Sequence, residues 1–131
     1  MKDLHIEETT GTFLTPAVKL NATTGKCSME GESFIENPQA FYAPIQEWID
    51  TYIKEVKGQM EWDFRFLYLN SSSSKIMSTV FRTLKDYENE GGKLIINWHY
   101  PEDNTGLLEE GECFKLVSKL SINLIPYELA D

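Results

Sequence analysis

Four consecutive serines, residues 71–74, form the densest group of reactive side chains in the sequence. They follow Asn70 and precede Lys75, where an aromatic-rich segment, residues 62–69, gives way to a helical pattern beginning at Ile76. The first turn of a helix has unpaired backbone N–H groups and a partial positive charge, so a phosphate is favoured there. Adding or removing one phosphate changes the local charge by nearly two units. The residues alone leave two interpretations open, a helix cap in a tight connection and a phosphoacceptor.

The same serines lack the surroundings that catalysis needs. A serine hydrolase requires a nucleophile elbow of the type G-x-S-x-G, and neither glycine flanks Ser71. Its base would have to be His5 or His99, the only histidines. His99 could approach Ser71 from a neighbouring parallel strand, but we interpret it as a polar residue at a strand end. A glycine-rich phosphate cradle is also missing, although an anion- or nucleotide-binding module using the helix N-terminus stays open as an alternative.

The composition is that of one small acidic domain spanning residues 1–131. Apolar residues make up 41% of the chain and aromatic residues 12%, which is enough for an ordinary core. The 21 acidic and 12 basic residues give a formal net charge of −9. Because no run of Lys and Arg offsets this charge, we expect neither nucleic acid nor a membrane surface as a partner.

The two cysteines, Cys27 and Cys113, show neither a C-x-x-C motif nor the spacing of metal ligands. We predict two free thiols in a reducing compartment, no metal site and no cofactor. The first residues contain no apolar signal region, and no apolar run is long enough to cross a membrane. The sequence therefore indicates a soluble cytoplasmic protein that is not an enzyme.

The spacing of apolar residues predicts an α/β fold. Strands are expected at residues 15–21, 26–31, 60–69, 93–100 and 121–125, and helices at residues 38–57, 76–90 and 108–119. The first two strands form a hairpin, and the strands that are separated by helices run parallel. The result is a single-layer mixed sheet of about five strands, packed with two long helices and one shorter helix.

Several local features of this fold depend on particular residues. Asn37 is predicted to cap the first helix, with Pro38 at its first position. Pro44 is expected to offset or kink the first turn, and Gly58 to end the helix. In residues 60–69, Trp62, Phe64, Phe66 and Tyr68 are expected to share one face. The other face becomes apolar toward the end, which predicts a central strand buried on both sides.

Acidic side chains form two further groups, Glu102-Asp103 and residues 109–112. Paired carboxylates can bind a metal or transfer protons, but a polar loop and an exposed helix face favour solvated surface, with partner docking as the alternative. Residues 31–38 mix acidic and aromatic side chains. This segment suits either a loop that caps the first helix or a loop that docks a partner.

A set of short segments occurs in an order and spacing that are specific together, although no segment is specific alone. They are Thr15-Pro16, Gly31-Glu32-Ser33, Glu36-Asn37-Pro38, Phe41-Tyr42-Ala43-Pro44, Trp48, Leu67-Tyr68-Leu69-Asn70-Ser71-Ser72-Ser73, Trp98-His99-Tyr100 and Gly111-Glu112. On these segments the chain resembles the SiaC family of bacterial regulatory phosphoproteins over nearly its whole length. The resemblance implies a fold similar to that of anti-anti-sigma (STAS) domains.

The resemblance also implies partner switching. In the family, a protein kinase with a histidine-kinase-like ATPase fold phosphorylates the hydroxyl that follows the Asn of the strand–helix junction. A metal-dependent phosphatase of the PP2C type removes the phosphate. The unphosphorylated form binds and activates a diguanylate cyclase, which raises cyclic di-GMP and promotes biofilm formation. An anti-anti-sigma-type antagonist with a different output partner is the alternative.

The functional residues carried over from the family cluster around the serine run. The phosphoacceptor falls on Ser71, where the family usually has Thr, and Ser72 is the second choice because the four serines look chemically equivalent. The expected docking surface joins the start of the second helix to the segment before the first helix. Its residues are Asn70, Ser71, Ser72, Ser73, Lys75, Glu32, Ser33, Glu36 and Asn37.

Overall fold

Six strands form one sheet, and three helices follow its central strands in the computed structural model, which describes residues 1–129. The elements are β1 (Leu4–Ile6), β2 (Ala17–Leu20), β3 (Lys26–Ser33), α1 (Pro38–Glu55), β4 (Met60–Leu69), α2 (Ser71–Asn89), β5 (Leu94–Pro101), α3 (Thr105–Ser118) and β6 (Ile122–Tyr127). Among these residues, no helix combines the length and the hydropathy needed to cross a membrane.

The strands lie in chain order across the sheet, from β1 at one edge to β6 at the other. β1, β2 and β3 are antiparallel, whereas β3, β4, β5 and β6 are parallel. The predicted mixed sheet, with an N-terminal hairpin plus parallel strands, is confirmed. The sequence missed β1, because three residues are too few to show an alternating pattern.

The core lies on one side of the sheet only. The three helices pack side by side, α1 against α2 and α2 against α3. They cover the face that carries Trp62, Phe64 and Phe66, all of which are buried. The prediction that β4 is buried on both faces is wrong, because none of the helices in residues 1–129 crosses to the other side, where Leu67 is exposed.

The ends of α1 follow the sequence only in part. Asn37 caps the helix and Pro38 occupies its first position, as predicted. The helix continues through Pro44 as one element, so the expected offset of its first turn is absent. It ends before Gly58: Lys57 takes the left-handed conformation, with φ of 55°. Gly58 is required for space instead, since a Cβ there would lie 2.7 Å from the Tyr52 hydroxyl.

Candidate functional site

The serine run forms the first turn of α2, directly after β4. Asn70 has extended backbone angles and is the N-cap, and its Oδ1 accepts a hydrogen bond from the Ser73 amide at 3.0 Å. Its carbonyl oxygen accepts from the Ser74 amide at 3.0 Å. The predicted strand–helix junction is therefore present, but α2 begins at Ser71, five residues before the first apolar residue of its stripe, Ile76.

The four serines are not equivalent, which corrects the expectation from sequence. Ser71 and Ser72 are exposed, Ser74 is half-buried, and Ser73 has no exposed surface. The Ser72 hydroxyl donates to Asn70 Oδ1 at 3.3 Å. The Ser71 side chain makes no hydrogen bond within the described part of the chain. Ser71 is therefore the most available hydroxyl of the four.

Ser73 belongs to a buried chain of three hydroxyls. Its hydroxyl donates to the Ser33 carbonyl oxygen at 3.3 Å, and the Ser33 hydroxyl donates to Ser73 Oγ at 2.8 Å. The Tyr42 hydroxyl lies 2.9 Å from Ser33 Oγ and is left as the donor of that bond. Burial raises the pKa of Tyr42 to about 12, so this hydroxyl stays neutral.

The burial of this chain corrects the predicted docking surface. Ser33 and Ser73 were expected to contact a partner, yet both have no exposed surface. Ser33 faces inward because β3 continues to Ser33 instead of ending at Gly31, which turns alternate residues toward the helices. Ser73 faces inward because it lies on the buried side of α2, together with Met77 and Val80. Their role in this conformation is to join the end of β3 to α2.

Backbone contacts bring the two predicted surface segments together. The Asn70 amide donates to the Ser33 carbonyl at 3.0 Å, and the Asn70 side chain donates to the Ile35 carbonyl at 3.3 Å. Glu32 and Ser33 continue the parallel pairing between β3 and β4. The segment before α1 and the start of α2 are therefore neighbours, although more than thirty residues separate them in the chain.

The exposed residues of this region border a groove between α1 and α2, here called the α1–α2 groove. Its volume is about 590 Å³. It is lined by Glu36, Gln39, Gln46, Ser72, Lys75 and Thr79 among others. Glu32 and Asn37 are also exposed nearby, so six of the nine predicted docking residues are on the surface: Glu32, Glu36, Asn37, Ser71, Ser72 and Lys75.

Three exposed aromatic side chains lie beside the junction and form an aromatic row. Phe34 stands between Phe13 and Tyr68, with ring centroids 5.8 Å and 6.2 Å away. Tyr68 was predicted to face the core. It faces outward because Gly31 pairs with Phe66 and Glu32 with Tyr68, so Leu67 is an extra residue that reverses the alternation. A sequence pattern of period two cannot locate such a bulge.

The three helix N-termini share one chemical feature. Each is capped by an asparagine, Asn37, Asn70 or Asn104, whose Oδ1 accepts the backbone amide three residues later. None has an acidic residue in its first turn, although the chain carries a net charge of −9. All three helices follow parallel strands, so their N-termini lie together where those strands have their carboxyl ends. The positive end of each helix favours an added anion at its own first turn, and the serine run is the first turn whose cap, Asn70, has no acidic residue directly before it.

His99 is not placed to activate Ser71. It lies within β5 and its Nε2 pairs with Asp63 Oδ1 at 2.8 Å, on the sheet face away from the helices. Asn97 donates to the same oxygen at 3.1 Å. Partial burial acts to raise the pKa of Asp63, but these two hydrogen bonds and the nearby charges outweigh it, so the pKa lies below its ordinary value. No side-chain hydrogen bond joins His99 to a serine within residues 1–129.

The cysteines and the acidic side chains do not form a reactive or metal-binding cluster within residues 1–129. Cys27 and Cys113 are both free, as predicted, and burial raises the pKa of Cys27 to about 12, whereas Cys113 is exposed. Across the residues that the structure describes, no three His, Cys, Asp or Glu side chains are grouped so that they could hold a metal ion. The reactive group best placed for modification is the Ser71 hydroxyl, which is exposed in the first turn of α2.

Comparison with known proteins gives one consistent result. Residues 6–127 match the family described as SiaC family regulatory phosphoprotein. An uncharacterized protein of Pseudomonas aeruginosa (strain UCBPP-PA14) is 33% identical over 115 residues, covering 88% of this chain and 89% of that protein. Apo-SiaC from Pseudomonas aeruginosa superposes with a TM-score of 0.82 at 28% identity, covering 95% of this chain and 99% of that one.

A further match involves a complex. A chain in the crystal structure of the diguanylate cyclase SiaD with its activator SiaC, from Pseudomonas aeruginosa, superposes with a TM-score of 0.87. The identity is 30%, and the match covers 95% of this chain and 100% of that one. The family match spans nearly the whole sequence and the fold agrees with it. The chain belongs to the SiaC family of regulatory phosphoproteins.

Proposed function

We propose that this protein is a phosphoswitch whose phosphoacceptor is Ser71 and whose unphosphorylated form binds and activates a diguanylate cyclase. The observation that carries the proposal is the difference among the four serines. Ser71 alone combines an exposed hydroxyl with the absence of a side-chain hydrogen bond among the described residues. Ser72 is the weaker candidate, because its hydroxyl is bonded to the cap.

The proposed cycle uses two enzymes implied by the family resemblance. A kinase with a histidine-kinase-like ATPase fold transfers the γ-phosphoryl group of ATP to Ser71. The new bond joins Ser71 Oγ to the γ-phosphorus, the bond to the β–γ bridging oxygen breaks, ADP leaves, and the hydroxyl proton passes to the kinase. A PP2C-type phosphatase reverses the modification by hydrolysis, which consumes water and releases inorganic phosphate. The chain itself supplies the acceptor and performs neither reaction.

The cyclase partner is proposed from similarity. SiaC in the matched complex is the activator of the diguanylate cyclase SiaD. Our chain has the same fold and covers all of the matched chain. The exposed surface next to Ser71 also has the composition of a binding site. The aromatic row provides large apolar anchors, and Glu32 is the strand partner of Tyr68, while Glu36 and Lys75 line the α1–α2 groove.

Phosphorylation would change this surface without unfolding it. A phosphate at the first position of α2 gains about 0.3–1 kcal/mol from the helix N-terminus, so the junction becomes more ordered. It also adds roughly 1.5–2 negative charges beside Glu32 and Glu36. A partner that docks there must then desolvate a dianion or tolerate its repulsion. We infer that the phosphate blocks docking by charge and bulk.

The assignment of Ser71 is tested by intact mass spectrometry after incubation with ATP and a protein kinase of the histidine-kinase-like ATPase type from the same organism. We expect one added phosphate, mapped to Ser71 by fragmentation and removed by a PP2C-type phosphatase from that organism. Ser71→Ala should abolish incorporation, whereas the matched control Ser72→Ala should keep it. Incorporation that survives in Ser71→Ala and disappears in Ser72→Ala would transfer the role to Ser72. No incorporation in the wild type would favour the anion-binding alternative.

The effect on docking is tested by calorimetric binding to the cyclase and by cyclic di-GMP formation. Ser71→Ala should bind and activate, and Ser71→Asp should lose both, while Ser121→Asp, at an exposed position just before β6 and away from the serine run, should keep the affinity. Equal binding by Ser71→Ala and Ser71→Asp would reject the switch. Tyr68→Ala should weaken binding by about tenfold or more if the aromatic row is the anchor. Val56→Ala is the control, since Val56 is similarly exposed but lies at the far end of α1.

A further inference from the structure

Helix α3 exposes two adjacent apolar residues near its C-terminus. Leu116 is 78% exposed and Val117 is 69% exposed, the highest values among the large apolar side chains in residues 1–129. The core side of α3 is formed by Leu107, Gly111 and Phe114. At 100° per residue, Leu116 lies on the opposite side of the helix from these three. The position of Leu116 is therefore not explained by packing within the chain.

The charges around Leu116 and Val117 differ from those of the rest of the chain. Lys115 and Lys119 line a hollow with Leu116 on one side. On the other side, Arg82 and Lys85 line a second hollow with Val117. Four of the chain's 12 cationic residues meet here, bringing together residues that are scattered in the sequence.

Four carboxylates belong to the same region: that of Asp86, which is exposed four residues after Arg82 on α2, and those of Glu88, Glu109 and Glu112. Glu88 pairs with Lys85 at 2.9 Å, and Glu109 and Glu112 lie on the exposed side of α3. Four cations against four carboxylates make this area neutral, in a chain whose net charge is −9. Two copies of the chain repel each other over most of their surface, but they can approach here at little electrostatic cost.

We propose that this area, defined by Glu112, Lys115, Leu116, Val117 and Lys119 and called the α3 surface, binds a second copy of the chain. The two α3 helices run antiparallel across a two-fold axis at Leu116. Such an interface is isologous, so each contact occurs twice. Leu116 packs against Leu116 of the second copy. Glu112 lies four residues before the axis and faces Lys119 of the second copy, which lies three residues after the axis.

The location keeps this contact separate from the phosphoswitch. The N-terminus of α2 lies at the carboxyl ends of the parallel strands, whereas the C-terminus of α3 lies at their amino ends, because both helices run antiparallel to the strands. Ser71 therefore stays exposed in the dimer. A single helix pair buries less than the roughly 1,200–2,000 Å² of a stable interface, so the dimer is weak and concentration-dependent. Its paired charges make it sensitive to added salt.

Oxidative cross-linking tests the axis position. In a Cys113→Ser background, Leu116→Cys should form a disulfide-linked dimer with copper phenanthroline, since facing positions at such an axis come within disulfide range. Thr105→Cys, which is also exposed but eleven residues earlier on α3, is the matched control and should stay monomeric. Cys27 does not interfere, because it is buried. Equal cross-linking of the two variants would reject the axis.

A charge exchange tests the proposed pairing in the otherwise unmodified protein. Sedimentation velocity should show reversible dimerisation of the wild type at high micromolar concentration, and loss of it in Leu116→Glu. Glu112→Lys and Lys119→Glu should each weaken association, and the double variant should restore it. Ser71→Asp should dimerise like the wild type. A wild type that stays monomeric throughout, or a Leu116→Glu variant that still dimerises, overturns the proposal whatever the outcome at Ser71.

Discussion

The hydroxyl oxygens of Ser33 and Ser73 lie 2.8 Å apart in a site with no solvent exposure, although forty residues separate them in the chain. This contact joins the last residue of β3 to the first turn of α2. The neighbouring Asn70 strengthens the same connection by donating hydrogen bonds to the carbonyl oxygens of Ser33 and Ile35. Ser71 therefore belongs to a helical turn that is anchored to β3, and a phosphate on Ser71 would alter the surface without moving the core.

Removal of the Ser73 hydroxyl should destabilise the fold more than removal of its exposed neighbour. Ser73→Ala removes the acceptor of the buried Ser33 hydroxyl and one of the two donors to the Ser33 carbonyl, which costs about 1–3 kcal/mol. Ser72→Ala is the matched control and should stay within about 0.5 kcal/mol of the wild type, because Ser72 is exposed. Urea unfolding measures both. Equal stability of the two variants would mean that the buried chain contributes nothing.

The asparagine caps should differ in strength. Asn70→Ala loses a cap bond of 3.0 Å and also the bond to Ile35, so we expect a loss of about 1–2 kcal/mol in the free energy of unfolding. Asn37→Ala should cost less, since its cap bond to the Ala40 amide is long at 3.5 Å. Urea midpoints of the two variants provide the measurement. A larger loss in Asn37→Ala would contradict this order.

The pair of Asp63 and His99 should contribute to acid stability. The pKa of Asp63 is below its ordinary value of 3.8 in the folded state, so the folded chain favours the ionised carboxylate. That contribution is present above this pH and is lost as the pH falls through the lower folded-state pKa. Asp63→Asn removes the dependence, so its stability should fall less steeply than that of the wild type below pH 3.8.

The acid effect is measured as the urea midpoint at neutral pH and at several acidic values. Glu61→Gln is the matched control, because Glu61 lies two residues before Asp63 on the same strand face but makes no side-chain hydrogen bond in the described structure. Its acid profile should follow the wild type. Identical profiles for Asp63→Asn and Glu61→Gln would show that the His99 contact has no role in acid stability.

Gly111 should tolerate no side chain, although alanine favours helices. A Cβ at Gly111 would lie 2.5 Å from Trp98 Cδ1 and 2.9 Å from Leu124 Cδ2, so α3 would have to move away from the sheet. We expect Gly111→Ala to cost about 1–3 kcal/mol. Gly106→Ala is the control within the same helix, since its nearest neighbour would be 3.5 Å away at Asn104. Thermal unfolding measures both, and a Gly111→Ala variant as stable as Gly106→Ala would refute the close packing.

Local chemistry made much of the fold readable from the sequence. The Asn37-Pro38 pair predicted the start of α1, because the asparagine side chain accepts an unpaired amide of the first helical turn and proline has no amide of its own to satisfy. Alternation of Trp62, Phe64 and Phe66 marked the core face of β4. The start of α2 was set too late for a related reason. Its first five residues are polar and carry no apolar stripe, while the cap by Asn70 begins the helix at Ser71.

Other features required contacts between distant residues. Tyr68 was expected in the core and is exposed, because pairing of β4 with β3 leaves Leu67 as an extra residue. The second face of β4 was expected to be covered, and it is open because all three helices pack on one side. Neither outcome can be read from the residues of β4 alone. Each depends on which strand and which helix lie beside it.

The place where a phosphate is favoured can be read from neighbouring residues alone, since it needs only a serine run after Asn70 at the start of a helix. The family can be read in the same way, from the order of short segments. The accessibility of each serine, in contrast, depends on how distant elements pack. Ser73 is buried in a hydrogen-bonded chain with Ser33 and Tyr42, which lie in other elements, whereas Ser71 is exposed. The reason is physical: helix capping acts over three or four residues, whereas burial depends on every element that packs against a side chain.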